Sequence, residues 1–269
     1  KEQTVQITKD RIVSIQSAKS SKPAKGATII DGTGKFLMPG MTDGHVHFFQ
    51  SGGVNTRPDV IDLRDYAPYS KEIKWTHDNY ENILKRYTSL GITTVIDPGA
   101  TNALLKQKTE CSKMNFAPTV YMAGPLITTY KPGVYDSLMN DDPFTLVKTI
   151  EQARQAVRDQ LPYKPDFIKI WYITNFTGKN IEDSARKFLP IIKATIDEAH
   201  KNNLRVAVHA TERITAQLAV ENGCDYLVHM IDDEIVSNDF IALLKKKKTV
   251  LCPTLTVMDD YASTFSQKI

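Results

Sequence analysis

The stretch from residue 204 to 230 reads LRVAVHATERITAQLAVENGCDYLVHM. Leu204–Ala210 is a short apolar run of strand character, and Ile214–Val220 carries apolar residues at helical spacing. Gly223 closes that helix, and a second strand follows at Asp225–Met230. Strand, helix, strand in so short a span is one βαβ unit, which implies two parallel neighbours with the helix packed outside them. Each strand also carries a histidine near its end, His209 and His229.

Working outward, the same unit repeats. Upstream strands are expected at Met41–Phe48, Ile92–Asp97, Thr119–Ala123 and Asp166–Tyr172, and one more follows at Thr249–Val257. Helical patterns separate them. Tyr80, Ile83, Leu84, Tyr87 and Leu90 form one, stopped by Gly91; others run from about Phe144 to Leu161, over Phe188–His200 and over Phe240–Leu244. Seven such strands with no glycine-rich dinucleotide loop point to a (β/α)8 barrel with seven of its eight strands present, rather than to a doubly wound sheet. The first forty residues differ. Thr4–Thr8, Arg11–Gln16, Thr28–Asp31 and Phe36–Met38 read as short strands separated by Ser, Lys, Pro and Gly. The expected organisation is residues 1–40 as part of a small composite β-sandwich and 41–269 as the barrel.

Composition narrows the function classes. With 41% hydrophobic and 24% charged residues, the chain has the make-up of a globular domain. Its formal charge of +3 is too small to suggest nucleic acid. The lysines at 245–248 follow an apolar helical pattern, where they suit the negative end of a helix dipole. No apolar run approaches the ~20 residues of a membrane span. Cys111, Cys224 and Cys252 lie far apart and form no disulfide framework or metal motif. Cytoplasmic and periplasmic or secreted locations are both compatible with these features, as is a homo-oligomer.

The chemistry sits at strand ends. His45 and His47 form an H-x-H pair, and alternation along a strand puts both imidazoles on one face. In a barrel that face is the lumen, at the C-terminal mouth where active sites of this fold lie. His209 and His229 end two further strands, so four of the six histidines occupy equivalent positions. By the same alternation His229 faces inward and Tyr226 and Val228 face the helices. His77 and His200 fall in helical stretches and carry no expectation. Lys169 lies mid-strand in DFIKIWY. A buried ammonium is costly, so this lysine is expected as a neutral, nucleophilic amine able to take up carbon dioxide as a carbamate.

FLMPGMTDGHVHF, residues 36–48, resembles the signature of the amidohydrolase superfamily. The order His45/His47, Lys169, His209, His229 is similar to its binuclear subtype, and GITTVIDPG (91–99) with PDFIKIW (165–171) resembles the branch of prolidase-like dipeptidases and imidazolonepropionase. The resemblance implies two divalent metal ions, zinc first. His45 and His47 would hold the buried ion, His209 and His229 the exposed one, and carbamylated Lys169 would bridge them. Lys169 and His229 carry the catalytic roles, with a hydroxide between the metals as nucleophile. Asp43 would shape the turn. The family's aspartate at the eighth strand is not matched: Asp259 and Asp260 come one unit early. On that ground the chain is expected to be truncated and, as given, a poor catalyst.

The implied activity is hydrolysis of C–N bonds in small amide-like substrates, dipeptides or N-acyl amino acids first. A cyclic-amide hydrolase of the hydantoinase or dihydroorotase type is the alternative enzyme, and a non-catalytic scaffold on the same fold the alternative class. The loops 124–143 and 173–180 leave strand C-termini, and Tyr130, Tyr172 and Asn175 are the candidate substrate contacts.

Overall fold

A computed structural model of the chain describes residues 2–136, 138–174 and 180–266. Two compact units result, Lys1–Pro39 and Gly40–Ile269. In the smaller, β1 (Gln3–Thr8) and β2 (Arg11–Ser17) pair as an antiparallel hairpin with a bulge between Gln6 and Ile7. Lys9 makes the turn at a φ of 57°. Of the expected β module, this hairpin is the part with regular pairing. The strands expected at Thr28–Asp31 and Phe36–Met38 do not form; Ile29, Ile30, Phe36 and Leu37 are exposed. Two strands bury no two-sided core, so the apolar alternation there has nothing in this unit to pack against.

The larger unit runs β3 (Met41–Asp43), α1 (Tyr69–Ser89), β4 (Ile92–Asp97), α2 (Asn102–Cys111), β5 (Thr119–Met122), β6 (Leu126–Thr128), β7 (Phe144–Leu146), α3 (Ile150–Gln160), β8 (Phe167–Trp171), α4 (Ile181–Lys201), β9 (Arg205–His209), α5 (Arg213–Glu221), β10 (Tyr226–Val228), α6 (Asn238–Lys247), β11 (Val250–Cys252) and α7 (Leu255–Phe265). All its strand pairs are parallel. A three-stranded sheet β3-β4-β5 meets a six-stranded sheet β11-β10-β9-β8-β6-β7 through one bridge, Ala123 to Phe167. The order β3, β4, β5, β8, β9, β10, β11 is the succession of a (β/α)8 barrel, as the alternating pattern predicts. Among the described residues no ladder joins β11 to β3, and the circle is not closed.

Local chemistry explains where the elements depart from the expected ones. The third barrel strand breaks at Gly124-Pro125, because Pro125 has no N–H to give a ladder; Gln160 Nε2 donates to its carbonyl at 2.8 Å. The strand resumes as β6, with Ile127 opposite Ile170, and takes β7 as a second neighbour. Phe144–Leu146 is therefore strand rather than helix. The helix α3 starts later, where Thr149 caps it by accepting Gln152 N–H. The helix α2 was not anticipated; Thr101 caps it through Leu104 N–H. The strand expected to reach Val257 stops at Cys252, since Pro253 again removes a donor and Thr254 turns at a φ of 49° into α7. Lys245–Lys247 occupy the last turn of α6.

Packing follows from alternation. Ile168, Ile170, Val206, Val208 and Leu227 form the outer face of the sheet and bury against Ala153, Val157, Ile192, Ile196 and Leu218 of the helices. Each fully buried Ile or Leu contributes about 1.5–3 kcal/mol. A second core gathers Phe48, Tyr80, Leu84, Val95, Leu104 and Met122. Alternate residues, Lys169 and Trp171 on β8 and Ala207 and His209 on β9, are left for the inner face. No helix of the described residues is long and apolar enough to cross a membrane.

Candidate metal centre

The segment after β3 brings His45 and His47 to β4's edge, where Val46 N–H donates to the Ile96 carbonyl at 3.0 Å. Their Nε2 atoms stand 3.2 Å apart. Two nitrogens each ~2.0–2.1 Å from one tetrahedral zinc lie about 3.3 Å apart, so this pair is spaced to share a cation. His47 Nδ1–H donates to the Gly99 carbonyl at 2.7 Å. A carbonyl only accepts, so the neutral ring carries its lone pair on Nε2.

His209 and His229 come from the other side of the lumen. His209 ends β9, with its ring 4.5 Å from that of His229. The His229 ring lies 4.8 Å from that of His45, which joins the two pairs. The strand β10 stops at Val228, however, and alternation does not place His229. Tyr226 faces inward instead, its hydroxyl donating to the Gly44 carbonyl at 2.8 Å, while Leu227 packs among the helices. His229 reaches the mouth because its backbone turns at a φ of 78°, with its N–H on the Cys252 carbonyl and Nδ1 2.8 Å from Thr254 Oγ1. A histidine held at positive φ stores strain of about 1–3 kcal/mol, a feature that clusters at functional sites.

Lys169 is fully buried, and among the described residues neither its Nζ nor His45 Nδ1 has a hydrogen-bond partner. Burial brings the Lys169 amine down to about 7, against the opposing pull of Asp97. Burial also drives His45, His209 and His229 well below the ordinary imidazole value, and the Lys169 charge lowers each further. Arg57 adds to the effect at His209 and His229. The three imidazoles are therefore neutral at physiological pH, the form in which histidine binds metal. Among the described residues no three His, Cys, Asp or Glu side chains form a ready-made single-ion site. There are two donor pairs and an orphaned amine beside them. Neutral imidazole pairs beside a buried amine are a donor set of the kind that holds divalent cations.

The other candidates separate. The Tyr130 ring lies 6.3 Å from Trp171, whose own ring is 5.9 Å from His209. Tyr172 is a correction: it alternates with Lys169, is buried on the helix side, and its hydroxyl donates to the Ala185 carbonyl. Asn175 lies outside the described residues. Asp43 Oδ1 accepts the His45 N–H at 3.2 Å, a turn-shaping contact. Asp259 and Asp260 are exposed on α7. Two residues escaped the sequence reading. Trp171 walls His209 and follows Lys169 by two, a period that could have flagged it. Asp97, fully buried beside His47, looked like an ordinary strand end.

Comparison with known proteins places the chain. Among curated proteins none is significantly similar. A solved structure of an uncharacterized protein superposes with a TM-score of 0.70 at 25% identity, over 98% of this chain and 64% of that one. A prolidase complexed with N-methylphosphonate-L-proline gives 0.67 at 23%, over 94% and 61%. A putative prolidase from Bifidobacterium longum gives 0.61 at 21%, over 91% and 54%. The chain thus spans less than two thirds of the length of these structures. The model of the amidohydrolase family matches residues 36–245, well over half of the chain, and the protein belongs to the amidohydrolase family.

Proposed function

We propose that the protein is a metal-dependent hydrolase of C–N bonds in amide-like substrates, with dipeptides or N-acyl amino acids as the substrate class. His45 and His47 would hold one divalent ion and His209 and His229 a second. Lys169 would join them after its neutral amine adds to carbon dioxide and releases a proton, leaving a carbamate anion. When bound, such ions supply an activated water and polarise the substrate carbonyl. The chain's own residues prepare the place: burial keeps His45, His209 and His229 unprotonated and the amine nucleophilic, while Trp171 and Tyr130 form a wall beside His209.

The observation that carries the reading is the convergence of two histidine pairs on a buried, unpartnered lysine. Arg57, whose charge reaches His209 and His229, is itself held by Asp59, with Nε and Nη2 donating to its two oxygens at 2.9 and 2.8 Å. Among the similar structures are a prolidase with a proline phosphonate and a Xaa-Pro dipeptidase with bound methionine, both consistent with a dipeptide. Elemental analysis of the full-length protein should find two divalent ions per chain, zinc first. The metallated protein should cleave members of a dipeptide and N-acyl amino acid panel in preference to hydantoins and dihydroorotate. A full-length protein that takes up no metal defeats the reading; one that prefers the cyclic amides overturns the substrate class.

A further inference from the structure

The turn that ends β4, Asp97-Pro98-Gly99, lies within the GITTVIDPG stretch, and the proposed chemistry gives it no role. It sits against His47. Asp97 is fully buried, and both its oxygens are committed to backbone donors: Oδ2 to Phe48 N–H and Oδ1 to Gly99 N–H, each at 3.1 Å. Oδ1 also stands 3.4 Å from His47 Nδ1. One carboxylate therefore ties the residue next to His47 to the glycine whose carbonyl receives the His47 ring. The turn is fixed from its other side too. Ala123 N–H donates to the Asp97 carbonyl at 2.9 Å and Ala100 N–H to the Ala123 carbonyl at 3.2 Å.

Gly99 is not replaceable in this arrangement. Its φ is +153°, and an added Cβ would lie 2.6 Å from Leu126 Cδ1 and 3.2 Å from His47 Cε1. Only a glycine lets the carbonyl approach the imidazole this closely.

We propose that the Asp97–Gly99 turn positions His47: Asp97 holds the Gly99 carbonyl on Nδ1, which fixes the ring's tautomer and aims the Nε2 lone pair at His45 Nε2. As a positioning device it rests on the metal reading for its purpose, though not for its geometry. Each Asp97 oxygen accepts one backbone N–H, which fixes the orientation of the carboxylate. Carboxylates and carbonyls that orient a metal-binding histidine are worth about 10–100-fold in affinity.

The first test needs no substitution. In 15N-labelled, metal-free full-length protein at pH 8, long-range imidazole correlations should show the His47 proton on Nδ1. A proton on Nε2 overturns the proposal. The second is Asp97→Asn, which turns one acceptor into an NH2 facing a backbone N–H. Zinc affinity by chelator competition should fall about 10–100-fold, and the His47 tautomer should become mixed. A folded Asp97→Asn protein with wild-type zinc affinity and an unchanged tautomer refutes the assignment. If Asp97→Asn does not fold, the wild-type tautomer still decides. If the wild type binds no zinc, the metal reading fails, and the tautomer tests this turn independently.

Discussion

Replacing Lys169 by methionine removes the amine and keeps much of the side-chain length. The drop of the amine from its ordinary 10.5 to about 7 corresponds to about 5 kcal/mol of burial penalty on the ammonium. Because the folded value lies below the unfolded one, that penalty is at its full size below pH 7. It shrinks as pH rises from 7 to 10.5, where only the unfolded chain still binds the proton, and has vanished above. In chelator and carbon-dioxide-free buffer, Lys169→Met should thus be more stable than wild type at pH 7, by up to about 5 kcal/mol. At pH 10.5 the difference should shrink to the packing change, less than ~1.5 kcal/mol for a similar volume. Urea unfolding at both pH values measures it, and subtracting the variant cancels the titrating groups that do not interact with Lys169. A variant equal to wild type at pH 7, or a difference that does not change with pH, refutes the account of a buried, uncompensated amine. The same substitution should lower the metal content of the loaded protein.

Ile170→Ala, in the core between β8 and its helices, should cost about 2–5 kcal/mol, read by the same unfolding experiment. His77 spans Gln107 Oε1 and Asp141 Oδ1, each at 2.7 Å, and the Asp141 bond raises its basicity. Its stabilisation is complete below the unfolded imidazole value and is lost as pH rises through the folded one, so His77→Gln should be more damaging at pH 6 than at pH 9 by thermal melting.

The barrel was legible because parallel strands buried under helices keep a strong apolar signature, as in RVAVHA and DFIKIWY. Lys169 and His209 follow from that same alternation. His229 was placed inward by a rule that does not apply to it: the strand ends one residue earlier, and a positive φ does the aiming. Tyr172 failed because a tyrosine at a strand end gives no hint which neighbour its hydroxyl will find. The short β6 and β7 carry too few residues for any period to show, and they exist only because the chain resumes pairing after Pro125. Asp97 was invisible as a partner of His47 because hydrogen bonds between residues fifty apart leave no local pattern.

One contact has consequences for how the centre keeps its dimensions. The Tyr226 hydroxyl reaches from β10 to the Gly44 carbonyl beside β3, with Cys252 Sγ near enough to touch any side chain added at Gly44. No strand pairing joins β11 to β3 among the described residues, so strand pairing ties the two histidine pairs together the long way round, through β4, β5, β8 and β9. This strut across the interior is a shorter tie. It is a rigid aromatic ring of fixed length, ending in a hydrogen bond of about 1 kcal/mol, and it braces one histidine pair against the other the way a spoke holds a hub. Shortening that residue to phenylalanine would leave the ladder its long path and take away this direct one.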